Sequence, residues 1–295
     1  MLLRAMRPLM ISAVLCLVAV SAVAQRTING RLQSGDMNRG YLLHVPALYD
    51  GEEAVPLVIV FHGSRWTSEW MERETGFSRV SDEEGFLVVY PRGYDYQWND
   101  WRGLPTWPTQ REEVDDIQFT RDLIAHLAER YQIDSQRIYA TGHANGGLMT
   151  HLVGNQLSEQ LAAIAPTTRA LTKKIADTST ASRMPVLMVL GTNDGSSPWN
   201  GGLQRVAGQE IPVLSVAETV GHYTELNGCT GDPVEFRLPP EITRNGLGLL
   251  RTEYVEGCAG AVLYYTIEGG VHALPQWNLD TARVIWGFFS GHARR

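Results

Sequence analysis

A glycine-framed segment at positions 142–147 has the pattern of a turn that presents one side chain at the start of a helix. Gly142-His143-Ala144-Asn145-Gly146-Gly147 follows the short apolar strand Arg137–Thr141 and precedes a segment with helical spacing. Glycines on either side of the turn allow a sharp backbone reversal that a side chain would block, as in a nucleophile elbow. The elbow normally presents a serine that attacks a carbonyl carbon. Here its central residue is Ala144, whose methyl group has no lone pair and no labile proton.

An acid and a histidine follow the ends of two later apolar strands. Asp194 comes after the strand Pro185–Leu190, and His272 comes after Ala261–Ile267. The order nucleophile, acid, histidine is that of the α/β-hydrolases. Each signal alone is weak, because an aspartate after a strand is usually a turn former and a lone histidine is more often structural. Together and in this order, they predict a catalytic triad formed by Asp194, His272 and the position of Ala144.

An earlier strand end supplies a candidate oxyanion hole. The apolar run VIVFHGS ends in His62-Gly63-Ser64. We expect the backbone N–H groups of Ser64 and Asn145 to bind the negative oxygen that develops during acyl transfer.

The elements that must position these residues alternate between strands and helices. Such alternation predicts an α/β fold, namely an α/β-hydrolase fold with a mostly parallel central sheet and helices on both faces. The composition has no break, so one domain over residues 25–295 is expected, interrupted by irregular segments at 94–113 and 169–183. The predicted strands are 26–32, 41–45, 55–61, 86–90, 137–141, 162–165, 185–190 and 261–267, and the predicted helices are 116–131, 145–157, 216–227 and 279–289.

Residues 1–24 have the pattern of a secretory signal peptide. Arg4 and Arg7 precede an apolar run over residues 9–20, and Ala22-Val23-Ala24 is a small-residue cleavage site. A membrane anchor is the alternative, but the run is too short to span a bilayer comfortably. We therefore expect a secreted protein, extracellular or periplasmic, with no stable membrane anchor after cleavage.

Composition and charge narrow the class of protein further. The 295 residues are 44% hydrophobic and 19% charged, which is typical of a globular chain. The formal charge of −7 argues against nucleic acid as a partner. Cleavage after Ala24 would remove two arginines, no acidic residue and Cys16, leaving 271 residues, a charge of −9 and the pair Cys229 and Cys258. In an oxidising compartment this pair predicts a disulfide, with two buried free thiols as the alternative.

From Tyr41 to the last helix the chain resembles the secreted polyhydroxybutyrate depolymerase and feruloyl esterase group of α/β-hydrolases. The segments that carry this resemblance are VIVFHG, TGFSRVSDEEGFLVVYPRG, QWND, VDDIQFTRDLI, RIYATGHANGGLM, LAAIAP, GTNDGSSPWNGG, SVAETVGHYTELNGC and LYYTIEGGVHALP. The resemblance implies a serine esterase in which Asp194 is the triad acid, His272 the base and Gly63-Ser64 the oxyanion loop. It also implies that Cys229 and Cys258 are a family cysteine pair. The chain departs from the group at Ala144, where the group has serine, and at Val271 and Trp199, where it usually has glycine and tyrosine.

Two explanations compete for the alanine at the elbow. One is an engineered inactivation, and the other is a natural pseudoenzyme that binds esters or carbohydrate without hydrolysing them. The persistence of Asp194, His272 and the elbow glycines favours engineering, since a lineage freed from catalysis has no obvious physical need for them.

The expected partner is a small or oligomeric ester, either aromatic or a polyester. Gly63, His143, Trp98 and Trp199 are the candidates to bind it. Trp98 lies in the aromatic segment 94–113, where its ring could stack on a feruloyl group or line a groove for a polyester chain, although core packing is the alternative. The sequence has no zinc-ligand spacing, phosphate loop or dinucleotide fingerprint, so no cofactor and no metal are expected.

Overall fold

The computed structural model describes residues 26–239, 246–273 and 279–294, so the predicted signal peptide lies outside the described residues. The strands are β1 (Arg26–Ser34), β2 (Met37–Val45), β3 (Val55–Phe61), β4 (Leu87–Pro91), β5 (Ile133–His143), β6 (Ala163–Thr167), β7 (Val186–Gly191), β8 (Gly202–Val206), β9 (Gln209–Val213), β10 (Val234–Leu238), β11 (Leu249–Tyr254) and β12 (Val262–Ile267). The helices are α1 (Ser68–Thr75), α2 (Phe77–Glu84), α3 (Pro108–Arg111), α4 (Asp116–Ala128), α5 (Asn145–Gln156), α6 (Lys173–Asp177), α7 (Val216–Leu226) and α8 (Thr281–Phe289).

Ten strands form one sheet in the order β1-β2-β4-β3-β5-β6-β7-β12-β11-β10. The central run from β4 to β12 is parallel, and the strands at both edges pair antiparallel. Parallel neighbours bring the carboxyl ends of β3, β5, β6, β7 and β12 to the same edge of the sheet. This edge carries all the residues predicted to do chemistry.

The two faces of the sheet are both covered by helices. Along β3, Leu57, Ile59 and Phe61 pack into the core on the side of α4 to α7, while Val58 and Val60 pack into the core on the side of α1, α2 and α8. Alternate side chains of a strand point to opposite faces, so a continuous apolar run is what a strand buried on both faces requires. The mostly parallel sheet with helices on both faces is the architecture that the sequence predicts.

Some local expectations differ from the structure. The predicted strands 26–32 and 41–45 are longer in the structure, where β1 and β2 extend toward each other and the chain reverses at Gly35, which has a φ of 52°. The segment 169–183 contains the short helix α6, and the β8–β9 hairpin was not predicted. Short elements with few apolar residues carry little periodicity, so their patterns do not distinguish them from loops.

Cys229 and Cys258 are joined by a disulfide, which ties the end of α7 to the connection between β11 and β12. Within the described ranges, no helix is long and apolar enough to cross a membrane.

Candidate active site

Ala144 occupies a strained turn between β5 and α5. Its φ and ψ are 56° and −113°, a conformation in which a residue with a side chain is seldom found. The turn lies against the end of β3, so a Cβ atom added to Gly142 or Gly146 would collide with a backbone carbonyl group. The Ala144 N–H points back to β6, 3.3 Å from the carbonyl oxygen of Thr167 and 3.1 Å from Oγ1 of Thr168. This is the geometry of a nucleophile elbow, with a methyl group at its tip.

Asp194 and His272 form a hydrogen-bonded pair at the same edge of the sheet. Nδ1 of His272 lies 2.7 Å from Oδ2 of Asp194, whose side chain is almost completely buried. The other carboxylate oxygen accepts hydrogen bonds from the N–H groups of Ser196 at 2.8 Å and Ser197 at 3.1 Å. The turn after β7 therefore fixes the carboxylate, and a carboxylate at Nδ1 leaves Nε2 of His272 to face a substrate.

The His272 ring lies beside the elbow. Its centre is 5.2 Å from that of His143, the residue before Ala144. The structure thus brings together the three positions that the sequence assigns to a triad, although they come from three different strand ends.

The loop after β3 closes onto the elbow from the other side. A Cβ atom on Gly63 would lie 3.4 Å from the carbonyl oxygen of His143. His62 holds this loop, with Nδ1 donating to the Gly63 carbonyl oxygen at 2.8 Å and Nε2 accepting from the Gly93 N–H at 2.9 Å. The bond that Nε2 accepts requires a neutral ring, and burial lowers the pKa of His62 to about 4.

The two backbone donors predicted for the oxyanion hole are free to bind a ligand. In the part of the chain that the structure describes, neither the Ser64 N–H nor the Asn145 N–H donates a hydrogen bond to a protein acceptor. The Asn145 N–H is at the first position of α5, where an unpaired donor is aided by the helix dipole. These groups can stabilise negative charge next to the elbow.

A buried network fixes Asn145 from below. Its Nδ2 donates to Oδ2 of Asp100 at 2.5 Å and its Oδ1 accepts from the Trp98 N–H at 2.8 Å. Asp100 also pairs with Arg102 at 2.8 Å and accepts from Gln110 at 2.9 Å, with every member of the network buried. The irregular segment 94–113 is therefore anchored directly to the start of α5.

Two of the predicted substrate-binding residues, Trp98 and His143, have buried side chains. Trp98 is completely buried, with Nε1 donating to the His62 carbonyl oxygen and the ring packed against Phe61. His143 is 1% exposed and stacks on Trp66 at a centroid distance of 4.7 Å. Both rings therefore pack against the loop after β3 or the elements beside it. The contact of Trp98 and His143 with substrate stays a prediction, and both side chains are buried in the structure.

The other two candidates differ from each other. Gly63 is buried in the loop beside the elbow, and Trp199 is half-buried with its carbonyl oxygen accepting from the Val216 N–H. Trp199 follows the turn that holds Asp194. Its contact with substrate stays a prediction.

Thr168 and Arg169 are site residues that the sequence reasoning missed. Thr168 has a φ of 57° and its Oγ1 lies 3.0 Å from Nδ1 of His143. Arg169 donates from Nη1 to the Ser196 carbonyl oxygen, and burial lowers the pKa of its guanidinium to about 10. The segment after β6 thereby connects the elbow to the turn that holds Asp194. The sequence feature that could have indicated this segment is the polar run Thr-Thr-Arg at the carboxyl end of β6, the strand next to β5.

Across residues 26–239, 246–273 and 279–294 there is no group of three or more His, Cys, Asp or Glu side chains arranged to hold a metal ion.

Comparisons with known proteins show the family of the chain. The family model BD-FAE matches residues 43–198, more than half of the chain. The chain is 30% identical over 242 residues to feruloyl esterase B of Piromyces equi, a match that covers 80% of this chain and 42% of that protein. It is 31% identical over 160 residues to a bifunctional acetylxylan esterase/xylanase of Neocallimastix patriciarum, covering 54% of this chain and 22% of that protein. The chain thus spans less than half the length of these two relatives.

Among solved structures, the acetyl xylan esterase from Aspergillus awamori superposes with a TM-score of 0.64 at 13% identity, covering 90% of this chain and 99% of that one. This likeness confirms the predicted α/β-hydrolase fold. The match of the family model covers the elbow and the turn of Asp194, and it shows that the chain belongs to the BD-FAE family.

Proposed function

We propose that this chain is a secreted, single-domain carboxylic ester hydrolase of the feruloyl or acetylxylan esterase type, whose nucleophile position holds Ala144. The observation that carries the proposal is the strained elbow at Ala144 beside the hydrogen-bonded pair of Asp194 and His272. Its relatives include a feruloyl esterase and a bifunctional acetylxylan esterase/xylanase, which supports the substrate class.

With serine at position 144, the reaction is an acyl transfer. The serine oxygen attacks the ester carbonyl carbon while Nε2 of His272 takes its proton and then passes it to the leaving alcohol. Asp194 orients His272 and stabilises its charged form. The N–H groups of Ser64 and Asn145 stabilise the oxyanion, and water activated by His272 resolves the acyl-enzyme.

With alanine at position 144, the first of these bonds cannot form. In subtilisin, loss of the nucleophile lowers kcat by a factor on the order of 10⁶, and we use that value here. The chain as it stands should therefore bind esters without hydrolysing them.

Substitution of Ala144→Ser tests the proposal. We expect hydrolysis of p-nitrophenyl acetate by A144S and none by the parent chain. Product analysis on methyl ferulate, acetylated xylan fragments and hydroxybutyrate oligomers then separates the carbohydrate-linked esters from the polyester class.

A natural pseudoenzyme is the second candidate, favoured by the alanine itself. It predicts saturable ester binding by the parent chain and a folded A144S variant with no activity on any of these esters. An active A144S variant supports the inactivated esterase instead.

A further inference from the structure

We propose that strand β10 is the interface of a homodimer, in which two copies of the chain pair their β10 strands antiparallel about a two-fold axis at Phe236. The ten-stranded sheets of the two copies join edge to edge in this arrangement. No residue of the candidate active site lies on β10, so the inference goes beyond the proposed function and does not depend on it.

β10 is the outermost strand at one edge of the sheet. It pairs antiparallel with β11 on one side, and among the described residues no strand pairs with its other side. Its first four residues are exposed. The free side of an edge strand presents unpaired backbone N–H and C=O groups, which form hydrogen bonds with a strand of another chain. β10 therefore offers a backbone template for a second strand.

One face of β10 is apolar although it is exposed. Side chains alternate between the two faces of a strand, so Val234, Phe236 and Leu238 share one face. Val234 is 46% exposed and Phe236 is 42% exposed, while Leu238 packs against the core on the side of α1, α2 and α8. Pairing about an axis at Phe236 places the two Phe236 side chains next to each other and Val234 next to Leu238 of the partner subunit. The dimer therefore covers apolar surface that a single copy leaves open to water.

The other face of β10 has one charge of each sign. Glu235 and Arg237 lie on either side of Phe236 in the strand. Arg237 donates two hydrogen bonds to Glu268 at 2.9 Å, and among the described residues no cationic side chain pairs with Glu235. A two-fold axis at Phe236 places Glu235 opposite Arg237 of the partner subunit, and the reverse pair forms by symmetry. Glu235 thereby gains a partner, and each guanidinium lies between two carboxylates.

These charges select the register of the pairing. An axis at Glu235 would place two carboxylates directly opposite each other, and an axis at Arg237 would place two guanidinium groups there. Like charges directly opposite across antiparallel strands are destabilising, whereas opposite charges attract. The axis at Phe236, the central residue of the strand, is thus the one at which both charged residues of β10 meet their opposite.

The strand at the other edge of the sheet lacks this complementarity. β1 carries Arg26 and Arg31, which are both exposed, and its nine residues include no acidic residue. Its apolar side chains Ile28 and Leu32 are half-buried and buried. Charged residues of one sign on an edge strand discourage pairing with a second copy. The sheet therefore has a protected edge at β1 and a self-complementary edge at β10.

Sedimentation velocity tests the inference. Because the pairing involves five residues of each chain, we expect a reversible dimer, with a monomer–dimer equilibrium at concentrations between about 1 and 200 µM. E235R and R237E each place like charges opposite each other at both symmetric positions, and each should raise the Kd of the dimer by about tenfold or more. An equimolar mixture of E235R and R237E places opposite charges across the strands again, so the mixture should dimerise like the parent chain.

F236S removes the apolar contact without any change of charge and should also weaken the dimer. R31E, a charge reversal on the edge strand β1, is the matched control and should dimerise like the parent chain. All these side chains are exposed, so we expect each variant to fold, and a thermal melt checks this.

A parent chain that stays monomeric at about 200 µM overturns the inference. A dimer that E235R and R237E leave unchanged also overturns it, since a different surface then joins the two copies, and so does an equal loss in R31E. Loss of the dimer in E235R and R237E without recovery on mixing overturns the two-fold axis at Phe236. If R237E fails to fold, E235R and F236S still decide between β10 and another surface.

Discussion

Nδ1 of His272 lies 2.7 Å from Oδ2 of Asp194, although 78 positions separate the two residues in the chain. Two backbone N–H groups hold the other oxygen of that carboxylate, so the acid can orient only one tautomer of the histidine. The acid and the histidine are therefore in hydrogen-bonded positions although residue 144 has a methyl group instead of a nucleophile.

Asp194→Asn on the A144S background should abolish most of the restored turnover. Asparagine keeps the shape but favours the wrong tautomer of His272, and we expect kcat to fall by about 10⁴ with KM little changed. Hydrolysis of p-nitrophenyl acetate measures both constants. D122N, the same change at a half-buried position of α4, is the control and should match A144S. Equal activity of A144S and A144S/D194N would exclude Asp194 from the triad.

Asp100→Ala should destabilise the folded chain. It leaves the guanidinium of Arg102 buried without its carboxylate, and the amide of Asn145 keeps only the Trp98 carbonyl oxygen as acceptor. We expect a cost of about 3–5 kcal/mol in the free energy of unfolding. Urea denaturation measures the loss. E210A breaks the exposed pair of Arg205 and Glu210 and should cost less than about 1 kcal/mol. Similar losses in D100A and E210A would contradict the role of the buried network.

Arg169→Met on the A144S background should lower kcat by about tenfold or more, because it removes a charged donor from the Ser196 carbonyl group in the turn that holds Asp194. A positioning role predicts an unchanged KM and partial recovery in R169K. Steady-state kinetics and a thermal melt of each variant provide the readouts. A raised KM with normal kcat would assign Arg169 to substrate binding instead.

The free energy of unfolding should fall as the pH is lowered from about 7 to about 4. Burial lowers the pKa of His62 to about 4, of His151 to about 3 and of His143 well below its usual value. The unfolded chain takes up protons at these histidines near pH 6.5, so acid favours unfolding through the whole interval.

His62 alone should contribute on the order of 3 kcal/mol to this loss. Urea denaturation at several pH values measures the slope. H62Q keeps a hydrogen-bond donor and an acceptor but has no group that titrates in this range. It should reduce the slope of the free energy of unfolding against pH by about one proton between pH 6 and 5. An unchanged slope would show that His62 does not hold the Gly63 loop as a neutral side chain.

The central part of the fold was predictable from local patterns. Apolar runs such as residues 55–61 mark strands buried on both faces, and the glycine-framed turn at 142–146 marks the elbow. These signals work because a strand buried on both faces must be apolar throughout, and a sharp turn against a neighbouring strand leaves no room for a Cβ atom. Ala144, Asp194 and His272 could be predicted as site residues because each comes shortly after a predicted strand.

Sequence alone determined which chemical groups this protein carries, and it showed that position 144 has a methyl group instead of a hydroxyl group. Only the tertiary structure decided which of them meet. Burial of Trp98 and His143, the clamp formed by His62, and the network from Asp100 to Asn145 depend on contacts between segments distant in the chain. No local pattern encodes such contacts, because a tryptophan or an arginine has the same sequence signature whether the packed sheet edge covers it or leaves it open.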